Sequence, residues 1–218
     1  MTTTVNTVLT DIAATIDQDT SAVSGTDLLV RVNLINQAQR EWAEAYQWKD
    51  LRFRYAPSTI LSAFSAALPT NFKKLMSPVY DVVLSSANNY IEINPSDRFL
   101  KDSTQRYVYV QGTSADGYSL CINPALLSGV SLNLEYQAYP SSLATTIDTI
   151  SCPNPQFITY RVLGQILAAR SDERFPQFKQ YADEQLSNMV EEEITPSGGQ
   201  DNQTPSYLKR AKYKIGED

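Results

Sequence analysis

Residues 28–55, LLVRVNLINQAQREWAEAYQWKDLRFRY, change their hydrophobic period part-way along. Up to Tyr46 the apolar positions Leu28, Val32, Ile35, Ala38, Trp42, Ala45 and Tyr46 recur three or four residues apart, the spacing of one face of an α-helix. Beyond Trp48, residues Leu51, Phe53 and Tyr55 alternate with Arg52 and Arg54, the two-residue period of a half-buried strand. A helix that runs past two tryptophans into a strand predicts a joint between a helical part and a β part. Trp42, Tyr46, Trp48 and Phe53 are the candidate joint residues, because large rings bury the area that defines such a junction. The stretch carries no catalytic group, which points to a scaffold or assembly component.

Outward from the joint, Val5, Val8, Leu9, Ile12, Ala13 and Ile16 predict a helix over residues 4–17. A polar turn with Gly25 follows, and Thr26 or Asp27 is placed to cap the second helix. After the joint the character is β. Strands are expected at Leu51–Tyr55, Val79–Leu84, Tyr90–Asn94, Arg106–Gln111, Tyr118–Ile122 and Val130–Tyr139, and Asp116-Gly117 closes a hairpin between the fourth and fifth. Ser58–Ala67 fits helix or strand equally. Asn154-Pro155 is a helix start, with Asn as cap and Pro at the first position, where its missing donor is harmless. Phe157 to Ala169 then reads as an apolar helix. A break at Ser171-Asp172 or Phe175-Pro176 precedes a last helix with Phe178, Ala182, Leu186, Met189 and Val190 on one face. The expected fold is α+β: a bundle of four main helices with an antiparallel β module inserted between helices 2 and 3, and an extended C-terminal arm. The corresponding segments are 1–50, 51–140, 141–195 and 196–218.

Composition narrows the chemistry. The chain of 218 residues has no histidine, which removes Ser-His-Asp and Cys-His nucleophile pairs and the HExxH zinc site. Its eight glycines form neither GxGxxG nor GxxxxGK[ST], so no phosphate-cradling loop is present. Cys121 and Cys152 form no CxxC, and Cys121, alternating with Leu120 and Ile122, reads as an inert buried thiol. No metal or cofactor is expected. No run approaches the roughly 18 apolar residues of a membrane span. The opening MTTTVNTVLTDIAATI lacks a basic n-region, so synthesis in a cytoplasm without a signal peptide is expected. A net charge of −6 argues against gripping nucleic acid by its phosphates, although an acidic wall lets DNA slide past.

Four groups remain. Arg52 and Arg54, with Lys49 and Arg40, read as the solvated side of a strand rather than a nucleic-acid strip. Asp97, Asp102 and Asp116, with Glu92 and Glu135, offer carboxylates, but Asp97 and Asp116 lie in turn sequences and spacing defines no catalytic pair. Tyr90, Tyr107, Tyr109 and Tyr118 offer an alternative, non-catalytic role: a glycan- or protein-binding face on the β region. The C-terminal arm interleaves Tyr207, Leu208, Tyr213 and Ile215 with Lys209, Arg210, Lys212 and Lys214. An apolar-basic arm on an acidic body is expected to dock on another subunit.

In order along the chain stand LINQAQREWAEAYQWKDLRF, ALPTNFKKLMSPVY, YIEINPSDRF, INPALLSGVSLNLEYQAYPSSL and CPNPQFITYRVLGQILAARSDE. This order resembles the head-to-tail connector adaptors of tailed bacteriophages, the neck-ring or tail tubular protein A-like group. The resemblance rests on Trp48 near the end of the long helix, Leu68-Pro69-Thr70-Asn71-Phe72, and Tyr136-Gln137-Ala138-Tyr139-Pro140 before the closing helices. It implies a structural virion protein of the head–tail neck, made in the host cytoplasm, that forms a homo-oligomeric ring, a dodecamer, under the portal. The bundle and arm would meet the portal protein, and the β module would meet a downstream tail or nozzle protein. DNA would pass through the lumen without sequence-specific binding, and no membrane would be involved.

Overall fold

Val5, Val8, Leu9, Ile12 and Ala13 are all buried, which makes them the inner face of the first helix, α1 (Val5–Ile16). The computed structural model describes residues 3–17, 23–56, 65–76, 78–81, 89–102, 104–123 and 132–194. Three further α-helices follow: α2 (Gly25–Ala45), α3 (Pro155–Ala169) and α4 (Phe175–Ile194). Eight short strands lie between α2 and α3 in the sequence, so the fold is mixed α+β. The chain divides into two compact units, residues 1–38 with 145–218, and residues 39–144, a boundary that falls within α2.

In the first unit α1 packs on α3, and α3 on α4. Thr4 caps α1 without a side-chain bond to a backbone amide, its hydroxyl meeting that of Thr7 at 3.3 Å. Its free amides are satisfied instead by the segment ahead of α3: Val5 N–H donates to the Asp148 carbonyl at 3.0 Å and Asn6 N–H to that of Thr146 at 2.8 Å. The Asn154 side chain accepts from Gln156 N–H at 3.0 Å with Pro155 at the first position of α3, as the sequence predicts. Neither Thr26 nor Asp27 caps α2, because that helix begins at Gly25; Asp27 lies in its first turn, where an acid favours the helix dipole. Between α3 and α4, Ser171 adopts φ +55° and the Asp172 carboxylate takes three hydrogen bonds from Arg174. The side-chain bonds, then the backbone bond, hold the Asp172 carboxyl at about 2.

The second unit carries β1 (Arg52–Tyr55), β2 (Ser65–Ala67), β3 (Phe72–Leu75), β4 (Val79–Asp81), β5 (Asn89–Glu92), β6 (Tyr107–Thr113), β7 (Gly117–Ile122) and β8 (Leu132–Ala138). The sheet runs in the order β1-β8-β4-β5-β6-β7-β2, with β3 also on β8. A strand has two edges, and β1 takes one of β8. On the other, β3 pairs with 136–138 and β4 with 132–133, so β3 and β4 act as one strand interrupted near Pro78, which has no ladder donor. The sheet is not wholly antiparallel as expected: β5 pairs parallel with β6. Residues 93–106 include a 3-10 helix (Pro95–Leu100) and supply the crossover that a parallel pair requires. Inward residues alternate as period two demands: Leu132, Leu134, Tyr136 and Ala138 of β8, Leu120 and Ile122 of β7, and Val108 of β6 share one core with Phe72, Val79 and Tyr90. Of the stretch Ser58–Ala67, which fits helix or strand equally, the described end Ser65–Ala67 is a strand, and residues 58–64 lie outside the described residues; strand β3 is unforeseen, because Phe72 follows a Pro-containing turn.

The predicted hairpin joins β6 to β7, with Thr113 opposite Gly117. Gly112 holds φ +119°, and a Cβ there would meet the Gly117 carbonyl oxygen at 2.1 Å. Gly117 holds φ +85° with open space around it. Gly112→Ala is therefore expected to cost about 2–3 kcal/mol and Gly117→Ala about 1 kcal/mol. Denaturant unfolding checks this: equal losses would mean that dihedral strain alone decides, and the carbonyl contact does not.

Candidate functional site

Helix α2 ends at Ala45 and leaves its last carbonyls without helical partners. Three side chains from separate parts of the second unit take up the carbonyls around this end. Trp48 Nε1 donates to the Trp42 carbonyl at 2.6 Å, Lys73 Nζ to that of Ala43 at 2.5 Å, and Gln137 Nε2 to that of Tyr46 at 2.9 Å. The Trp42 and Trp48 rings stack at 5.3 Å, and Tyr46 meets Trp48 edge-on at 5.5 Å. Lys73 and Arg40 lie over the Tyr139 ring at 5.7 and 5.5 Å. Burial, with the neighbouring Lys74, lowers the Lys73 pKa from its ordinary value, and Glu44 pulls the other way. The sequence signals found Trp42, Tyr46 and Trp48, which the fold brings together. Lys73 and Gln137 carry no local signal of a capping role.

Phe53 is placed elsewhere. It is 44% exposed, pairs across the sheet with Tyr136, and its ring lies 6.0 Å from that of Tyr136. Arg54, next along the strand, pairs with Glu135 at 2.9 Å directly opposite it on β8, which accounts for that arginine as one side of an exposed cross-strand pair. Glu135 thus already has a cationic partner. Asp116 bonds to the Thr113 hydroxyl of its own turn, and Asp102 accepts from Thr104 N–H. Burial pushes the Glu92 carboxyl up. Among the described residues no group of three or more His, Cys, Asp or Glu is arranged to hold a metal ion.

The tyrosines proposed as one binding face are divided. Tyr90 is buried in the sheet core and Tyr118 packs against that core, whereas Tyr107 and Tyr109 occupy alternate positions to the inward Val108 and stack on each other at 6.5 Å. Cys121 and Cys152 are buried thiols in no disulfide; burial raises the Cys121 pKa, and the Cys152 thiol donates to the Asn154 carbonyl at 3.4 Å. Tyr207, Leu208, Lys209, Arg210, Lys212, Tyr213, Lys214 and Ile215 lie outside the described residues.

Two features escaped the sequence reading. In the first unit Arg31 is buried on α2, its Nη2 2.7 Å from Asp17 and 3.6 Å from Asp27, and Arg170 reaches the same Asp17 at 3.6 Å. Asp27 four residues before Arg31 was the available signal. In the second unit Ile91, Phe99 and Leu100 are 69%, 80% and 83% exposed. Arg98 lies over Phe99 at 4.6 Å and over Tyr109 at 5.6 Å. These groups present caps, stacked rings and exposed apolar side chains.

Among the described residues no helix is long and apolar enough to cross a membrane. A family model described as SU10 adaptor protein matches residues 3–205, most of the chain. No curated protein matches it.

Proposed function

Because the chain belongs to the SU10 adaptor protein family, a phage head–tail adaptor family of structural proteins, we propose that it works as a homo-oligomeric ring in the neck of the virion, under the portal. The observation that carries this reading is the family match over nearly the whole chain. In this reading the ring is a dodecamer that extends the DNA channel. The four helices form one bundle that, with the arm Tyr207–Ile215, engages the portal protein, and the β-rich unit faces the downstream tail protein. A closed ring needs one heterologous interface per subunit, with complementary faces on its two sides. The net charge of −6 suits a lumen through which DNA slides, since like charge keeps the backbone from adhering. Trp42, Tyr46 and Trp48 would hold the end of α2 in register with the sheet while load passes between capsid and tail.

Electron microscopy of the purified chain mixed with its portal tests the reading. A ring of density on the portal is expected, and portals left bare at saturating concentration would overturn it. Deleting Pro205–Asp218 is expected to leave the circular dichroism spectrum and melting unchanged and to abolish portal docking. Unchanged affinity of the shortened chain would remove the arm from the portal contact and leave the ring reading standing.

A further inference from the structure

We propose that the free chain holds its own C-terminal segment, Tyr207–Ile215, folded back on the outer face of α4. The proposal goes beyond the adaptor reading, because it concerns the free protein. A portal that takes the arm would have to draw it off this helix.

Helix α4 is little covered. Of its 20 residues only Ala182 and Met189 are buried, against seven of the 15 in α3, on which it packs. Near its start three rings form one closed cluster. Tyr160 of α3 lies 6.1 Å from Phe178 and 5.6 Å from Tyr181, and Phe178 meets Tyr181 edge-on at 6.2 Å. The cluster reaches the surface through Tyr181, 37% exposed, and Phe175, one turn before Phe178, is 40% exposed. Gln177 Nε2 donates to the Tyr181 hydroxyl at 2.6 Å and fixes the ring from one turn away. From Tyr181 an exposed stripe of Glu184, Asn188 and Glu191 continues along the same side of the helix toward its end. Rings packed on one another yet open to solvent are the anchors of a docking face.

Charge selects the occupant. Lys179 is the last basic residue of α4, and Asp183, Glu184, Glu191, Glu192 and Glu193 follow it. Arg161, the one base of α3, meets Asp183 at 3.5 Å, whereas Glu184 takes the neutral amide of Gln180 at 2.9 Å. Three consecutive glutamates close the helix where its dipole already places negative charge, so a cationic partner is favoured there on both counts. The segment Tyr207–Ile215 carries Lys209, Arg210, Lys212 and Lys214 and no acid, interleaved with Tyr207, Leu208, Tyr213 and Ile215 for the rings. Tyr181 stands about 20 Å along the helix from Ile194. The 12 residues between Ile194 and Tyr207 span up to about 40 Å when extended, enough to turn and run back. Tethered to the helix on which it docks, the arm has an effective concentration on the order of millimolar there, an advantage that no separate chain shares.

Hydroxyl-radical footprinting of the free full-length chain tests the contact. Oxidation of Tyr181 is expected to quicken about threefold or more when Pro205–Asp218 is deleted, and likewise in Lys209→Glu/Arg210→Glu/Lys212→Glu/Lys214→Glu. Both changes lie outside the described residues and leave the α3–α4 pair its own side chains. Tyr80 of the second unit, 43% exposed, is the internal reference and should react at one rate throughout. Protection of Tyr181 should persist on dilution and fade at about 1 M salt. Oxidation of Tyr181 at the wild-type rate in both variants would overturn the proposal. Protection that is lost on dilution would assign the face to a second copy, and would overturn it too. No portal enters the measurement, so its failure leaves the adaptor reading standing.

Discussion

Trp48→Ala is expected to destabilise the chain by about 3–5 kcal/mol, the usual cost of truncating a buried tryptophan. Three losses combine at this residue. Trp48 is buried, its ring stacks on Trp42 at 5.3 Å and takes the edge of Tyr46, and its Nε1 is the donor to the Trp42 carbonyl. Trp48→Phe retains a ring for stacking and deletes the donor, so about 1–2 kcal/mol is expected from the orphaned carbonyl. Phe53→Ala should cost less than either, because nearly half of that side chain already faces solvent. Thermal unfolding of the three variants should rank them in that order. A Trp48→Ala chain that melts like wild type and no longer forms rings would assign Trp48 to assembly and not to the stability of its unit.

Asp17→Ala is expected to cost about 3 kcal/mol, since it strands a buried cation. Arg31 is 4% exposed, and Asp17 is its close partner at 2.7 Å; Asp27, at 3.6 Å, is largely in solvent. Asp17 also holds Arg170, so one carboxylate joins residues that follow α1, lie on α2 and end α3. Asp27→Ala removes only an exposed ion pair and should cost about 0.5 kcal/mol. The double change Asp17→Ala/Arg31→Met should recover most of the loss, because an apolar residue of similar length no longer demands a counter-charge. Urea unfolding of the three variants decides the matter. A double variant as unstable as Asp17→Ala would mean that lost packing, and not the stranded charge, sets the cost.

Much of the fold was legible in local signals. The change of period at Trp48 separates α2 from β1, Asn154-Pro155 starts α3, and Asp116-Gly117 turns β6 into β7. Each signal acts within a few residues, through a capping side chain, a glycine dihedral or the spacing of apolar groups. The candidate joint was legible in part. Trp42, Tyr46 and Trp48 meet because helical spacing and a short turn bring them together, whereas Phe53 lies in the edge strand β1 and turns to Tyr136. The alternation of Leu51, Phe53 and Tyr55 with the arginines gave no indication that an edge strand leaves one of these rings in solvent.

Composition and local pattern determined the class of this protein: a mixed α+β chain without histidine chemistry, with its strands gathered between two pairs of helices. The tertiary structure decided what each surface faces. Lys73 reaches Ala43 across 30 residues and Gln137 reaches Tyr46 across 91, the parallel β5–β6 pair depends on a crossover, and Arg31 is buried because Asp17 comes to it. Periodicity states which side of an element is apolar. The partner that covers that side, or the charge that permits a cation inside it, comes from residues distant in sequence, and packing alone brings those together.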